Sequence, residues 1–96
     1  MNANEMCKRF ILRGRVQGVG CRFQVQEWAL QIGSLSGYVK NLADASVEVC
    51  VYGQSWRVVD FEKALREKLL EPVKIDFIES EDLEQPQWPP GFVIRR

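Results

Sequence analysis

The segment Gly14-Arg15-Val16-Gln17-Gly18-Val19-Gly20-Cys21-Arg22 separates two kinds of hydrophobic pattern, and its reading decides the fold. Before it, Lys8 to Val16 alternates, with Phe10, Leu12 and Val16 on one face and Ile11, Arg13 and Arg15 on the other. A period of two predicts a strand packed on one side. After it, Val25, Trp28, Ala29 and Ile32 recur at helical spacing and stop at Gly33, which predicts an amphipathic helix starting near Arg22. The glycines between can take positive φ and turn successive backbone N–H groups toward one point, beside the unpaired N–H groups and positive dipole end of the helix. Arg22 adds a guanidinium whose fork of donors matches two oxygens of a phosphate or carboxylate. These residues describe a cradle for a small oxyanion, phosphate first, built from Arg15, Val16, Gln17, Gly18, Val19, Gly20, Cys21 and Arg22. Spacing alone leaves an ordinary tight connection as an equal reading. The segment is no nucleotide loop, because it lacks the Gly-Lys-Ser/Thr ending that holds magnesium and the β/γ-phosphates.

Working outward, Tyr38 to Leu42 and Val47 to Tyr52 read as two strands of a hairpin joined by Ala43-Asp44-Ala45-Ser46. Ser55 is placed to cap a second helix with Val58, Phe61, Leu65 and Leu69 as its buried stripe, ending before Glu71-Pro72. Val73, Ile75 and Phe77 alternate as a fourth strand, and the proline-rich Pro86 to Gly91 loop leads to a short last strand at Phe92 to Arg95. The order βαββαβ with a terminal strand predicts an α+β fold, the ferredoxin-like split βαβ sandwich: an antiparallel sheet with two helices on one face. There the first and second strands run parallel with the third between them, so their C-terminal ends share an edge. That brings Asn41 beside the glycine loop.

With 96 residues, 46% of them hydrophobic, the chain reads as one domain over residues 1–96. Thirteen basic and thirteen acidic residues cancel, so any anion site is local, and neither nucleic acid nor a membrane surface is expected as a partner. No apolar run is long enough to span a membrane, and Met1-Asn2-Ala3-Asn4-Glu5 lacks the blocks of a signal peptide, so a cytoplasmic monomer is expected. The absence of histidine removes Ser-His and Cys-His nucleophiles and histidine-ligated metals. Cys7, Cys21 and Cys50 show no metal-ligand spacing, and no cofactor is expected.

The glycine segment resembles the acylphosphatase signature, usually Gly-x-Val-Gln-Gly-Val-x-Phe-Arg. Gly37-Tyr38-Val39-Lys40-Asn41 and Asp44-Ala45-Ser46-Val47-Glu48 are similar to that family's second block, and Phe92-Val93-Ile94-Arg95 to its terminal strand. The resemblance spans nearly the whole chain. It implies a ferredoxin-like enzyme that hydrolyses the carboxyl-phosphate bond of a small acyl phosphate without metal or cofactor, with inorganic phosphate or sulfate as competing anions. It implies two catalytic residues, Arg22 binding the phosphoryl group and Asn41 positioning the attacking water. Acyl phosphates carry a good leaving group, so positioning and charge stabilisation suffice, which suits a chain without histidine. A second reading is a phosphate- or carbamoyl-phosphate-binding module with little turnover, since such domains also occur inside larger carbamoyl-transfer proteins.

Each residue carries a plainer alternative. Arg22 could pair with Glu27, Asn41 could be only a turn former, and Gln17 could support the loop through its amide. Cys21 stands where the family usually has Phe. A thiol at a helix N-terminus beside an arginine is expected to have a lowered pKa and be redox-sensitive, the alternative being an apolar filler. Ala45 stands where glycine is usual and resists positive φ. Cys7 and Cys50 fall on the non-core face of adjacent strands and are candidates for a disulfide, which a reducing cytoplasm disfavours.

Overall fold

The alternating run around Phe10 forms β1 (Glu5–Arg15), and the glycine segment leads into α1 (Cys21–Ile32). The predicted hairpin follows as β2 (Ser36–Asn41) and β3 (Val47–Gln54), then α2 (Ser55–Glu67), β4 (Lys74–Asp82) and β5 (Phe92–Arg95). This computed structural model describes residues 4–96; residues 1–3, the start of the segment read as lacking a signal peptide, lie outside the described residues. Five strands form one sheet in the order β4-β1-β3-β2-β5. All pairings are antiparallel except β2 with β5, which is parallel. The predicted ferredoxin-like sandwich is therefore present, with β1 and β2 parallel around β3 and the terminal strand added beside β2. Among the described residues no helix is long and apolar enough to cross a membrane.

The core lies between the sheet and both helices. Phe10 and Leu12 of β1, Val39 of β2 and Val47, Val49 and Val51 of β3 meet Val25 and Ala29 of α1 and Val58, Phe61 and Leu65 of α2, all at most 2% exposed. Burying a ring such as Phe61 contributes roughly 1.5–3 kcal/mol. Its edge-to-face contact with Phe92, centroids 5.6 Å apart, ties α2 to the terminal strand. Gly33 closes α1 by donating its N–H to the Ala29 carbonyl at 3.0 Å. Arg57 of α2 donates to the Ile32 and Gly33 carbonyls at 2.7 and 3.1 Å, satisfying the same helix end from across the layer.

Three local expectations are corrected. Ser55 is the first residue of α2 rather than its cap; Gln54 holds the cap position and makes no side-chain capping bond. Leu69 lies beyond the end of α2 at Glu67, although it still packs against the core. The alternation Val73, Ile75, Phe77 is broken because the β1/β4 register shifts between Arg13 and Gly14. Gly14 pairs with Ile75 and Arg13 with Phe77, leaving Asp76 as the extra residue of a bulge. The bulge carries Phe77 to the open face, where its ring centre lies 6.0 Å from the Arg13 guanidinium.

The β2–β3 turn closes through Leu42 N–H to the Ser46 carbonyl (2.9 Å) and Ala45 N–H to the Leu42 carbonyl (3.3 Å). Asp44 accepts from the Ser46 hydroxyl and backbone N–H and from Arg13, and these bonds hold its carboxyl down at about 2. Ala45 sits at φ 74°, the left-handed conformation its Cβ opposes. Left-handed backbone costs a side-chain-bearing residue about 1–2 kcal/mol, while glycine costs about 0.4–1 kcal/mol more through the unfolded chain. Ala45→Gly is therefore expected to stabilise by about 0.5–1 kcal/mol in urea unfolding; a lower midpoint would show that the strain is absent.

Candidate active site

The loop between β1 and α1 is shaped by two left-handed glycines, Gly18 at φ 74° and Gly20 at φ 79°. No heavy atom lies within 4 Å of where a Cβ would stand on either, so backbone conformation rather than crowding calls for glycine there. Gly20 is the cap position of α1; no side chain caps the helix and its first turn holds no acidic residue. The N-terminal N–H groups and the dipole are thus left without a side-chain acceptor. Arg22 stands in that same turn, and among the described residues it has no carboxylate partner. The Glu27 alternative fails, because Glu27 lines a separate groove with Gln24, Trp28 and Lys68.

Arg22 and Asn41 line one depression of about 230 Å³. Val16, Gly18, Gly20 and Cys21 supply its loop side. Asn41, the last residue of β2, pairs with Val47 and so shares the core-facing side of the sheet with Val39. Its Oδ1 is buried and accepts no hydrogen bond from the protein. Such an acceptor requires a donor to satisfy it.

The Arg15 to Arg22 segment contributes to the depression only in part. Arg15 pairs with Lys74 as the last residue of β1 and is outside the lining, as are Gln17 and Val19. Val19 packs against the core instead. The Gln17 amide donates to the carbonyls of Leu42 (2.8 Å) and Ser46 (2.9 Å), fastening the loop to the β2–β3 turn. Three lining residues escaped the sequence reading: Phe23, Ile94 and Arg96. Phe23 lies outside the helical stripe, and that off-pattern aromatic next to Arg22 was the available signal. Ile94 reaches the site only because β5 runs parallel to β2, with Ile94 opposite Val39.

The expected activation of Cys21 is also corrected. Its side chain is 1% exposed, and burial pushes its pKa up to about 11 despite the neighbouring Arg22. Cys7 is likewise raised to about 11, by burial first and then by Cys50. Cys7 and Cys50 are both free. They share a face, but Cys7 pairs with Tyr52 and Cys50 with Arg9, which makes the thiols diagonal neighbours. Diagonal strand positions lie about 7–8 Å apart, beyond the usual disulfide span. In the native protein all three thiols are expected to resist a thiol reagent, such as an aromatic disulfide, and to react fully in denaturant; one rapid native equivalent would contradict this burial.

Among the described residues no three His, Cys, Asp or Glu side chains are grouped to hold a metal ion. The acylphosphatase family model matches residues 8–94. The chain belongs to the acylphosphatase family. The acylphosphatase of Petrotoga mobilis is 40% identical over 86 residues, covering 90% of this chain and 89% of that protein. The crystal structure of acylphosphatase from Bacillus subtilis matches at 31% identity and a TM-score of 0.86, covering 95% of this chain and 99% of that one. The same acylphosphatase fold occurs in a crystal structure of full-length HypF in its phosphate- and nucleotide-bound form, at 25% identity and a TM-score of 0.86. There it covers 96% of this chain but 12% of HypF.

Proposed function

We propose that this acylphosphatase-family chain hydrolyses the carboxyl-phosphate bond of small acyl phosphates in the depression between Arg22 and Asn41. The observation that carries the reading is the buried, unpartnered Asn41 Oδ1 beside a cationic helix start whose N–H groups have no side-chain acceptor. The phosphoryl oxygens seat against the Gly18 to Arg22 backbone and the Arg22 guanidinium, where dipole and charge act together on an anion. A water donates to Asn41 Oδ1 and is thereby aimed at phosphorus. Its oxygen forms the new P–O bond as the bond to the acyl oxygen breaks. The carboxylate leaves with the bonding pair, and a phosphate oxygen of the substrate takes the water proton. No protein group has to titrate, in keeping with the absence of histidine. Inorganic phosphate and sulfate compete for the same seat.

The test is hydrolysis of acetyl phosphate in the presence of a metal chelator. Chelator-resistant turnover is expected, and Asn41→Ala is expected to lower kcat about 10²-fold with little change in KM, the loss typical of one positioning contact. Turnover that vanishes with chelator, or a kcat left undiminished in Asn41→Ala, overturns the mechanism. The HypF similarity favours one other reading, a phosphate- or carbamoyl-phosphate-binding module. It predicts phosphate binding without turnover in the intact protein.

A further inference from the structure

Phe23 is the feature the proposed chemistry leaves unexplained. It is 71% exposed, the most exposed large apolar side chain here along with Leu70, yet it stands one residue after Arg22 and lines the same depression. Helix formation does not need it there, since the core stripe of α1 runs through Cys21, Val25 and Ala29. Nor does it replace the aromatic usual at position 21, because Cys21 fills that buried place while Phe23 points away from the core. Ile94 of β5, half-buried and apolar, lines the depression as well. The site thus has a polar part, formed by the glycine loop, Arg22 and Asn41, and an apolar part formed by two side chains from different elements.

Resting on the acyl phosphate reading above, we infer that Phe23 and Ile94 receive the acyl group, so that this chain prefers acyl phosphates with extended apolar acyl chains over acetyl phosphate. A phosphoryl group held by the loop leaves its acyl substituent at the rim of a depression of about 230 Å³, too small to enclose a long chain. The chain then lies over the exposed Phe23 ring, burying apolar surface of both. A fully buried methylene is worth about fourfold in affinity, and one covered on a single side about half that in logarithmic terms, or twofold. Arg96, the remaining cation of the lining, draws anionic substrates in general and does not distinguish among uncharged acyl chains.

The experiment measures kcat/KM for acetyl, butanoyl and hexanoyl phosphate, with affinity for methyl, butyl and hexyl phosphonate as a reading independent of turnover. Both series are expected to rise about twofold per methylene in the intact protein. Phe23→Ser is expected to flatten both slopes and Phe23→Leu to restore much of them. Flat slopes in the intact protein, or unchanged slopes in Phe23→Ser, overturn the inference even when acetyl phosphate is hydrolysed. A phosphonate slope that depends on Phe23 without any turnover upholds the apolar wall and refutes the hydrolase reading instead.

Discussion

Arg22→Ala is expected to lower kcat/KM for acetyl phosphate by about 10³-fold while leaving the protein as stable as before or slightly more so. The activity loss follows from removing the helix-start cation of the depression, in a reaction where charge stabilisation supplies most of the rate. The stability effect has the opposite sign because Arg22 sits in the first turn of α1, against the dipole, without a carboxylate partner among the described residues. Relieving that arrangement is worth about 0.3–1 kcal/mol. Arg22→Lys keeps the charge but loses the paired donors, and is expected to recover about a tenth of the activity or less. Steady-state kinetics and urea unfolding on the same samples decide the matter. An inactive variant with a clearly lower unfolding midpoint would make Arg22 a structural residue.

Gly37→Ala is expected to abolish the fold, or to destabilise it by about 3 kcal/mol or more. Gly37 lies in β2 at φ 146°, and a Cβ there would stand 1.9 Å from the Cys50 carbonyl oxygen and 2.8 Å from its carbon. These are backbone atoms of β3, the central strand, so no side chain can swing aside. Relief requires β2 to separate from β3, and β2 also carries the pairing to β5. Against a typical total stability of about 5–15 kcal/mol, such a loss leaves little native protein. Circular dichroism melting checks it. A variant within about 1 kcal/mol of the parent would mean that the sheet accommodates the methyl.

The fold was legible because each long segment keeps one period. Phe10 and Leu12 alternate through β1, Val47 to Val51 through β3, and Val58, Phe61 and Leu65 hold helical spacing through α2. Once β1 and β2 are parallel neighbours of β3, the approach of Asn41 to the glycine loop follows from topology alone. What failed were features set by contacts between elements. The bulge opposite Arg13 turned Phe77 over, and nothing local to β4 encodes it. The diagonal offset of Cys7 and Cys50 depends on inter-strand register, and the raised Cys21 pKa on how deeply the packed layers bury it. Likewise Ile94 becomes a neighbour of the site only through the direction of β5, which its four residues do not specify.

The Gln17 amide has a consequence for motion. It grips the carbonyls of Leu42 and Ser46 on the two sides of the turn, and Leu42 directly follows Asn41. The glycine loop cannot swing outward without releasing both bonds, and the turn cannot fray without releasing the loop. The glycine loop and Asn41, the latter 19 residues from Arg22 in sequence, are therefore held as one body. A single side chain thus couples the two connections, so that local opening of either one has to break the bonds that hold the other.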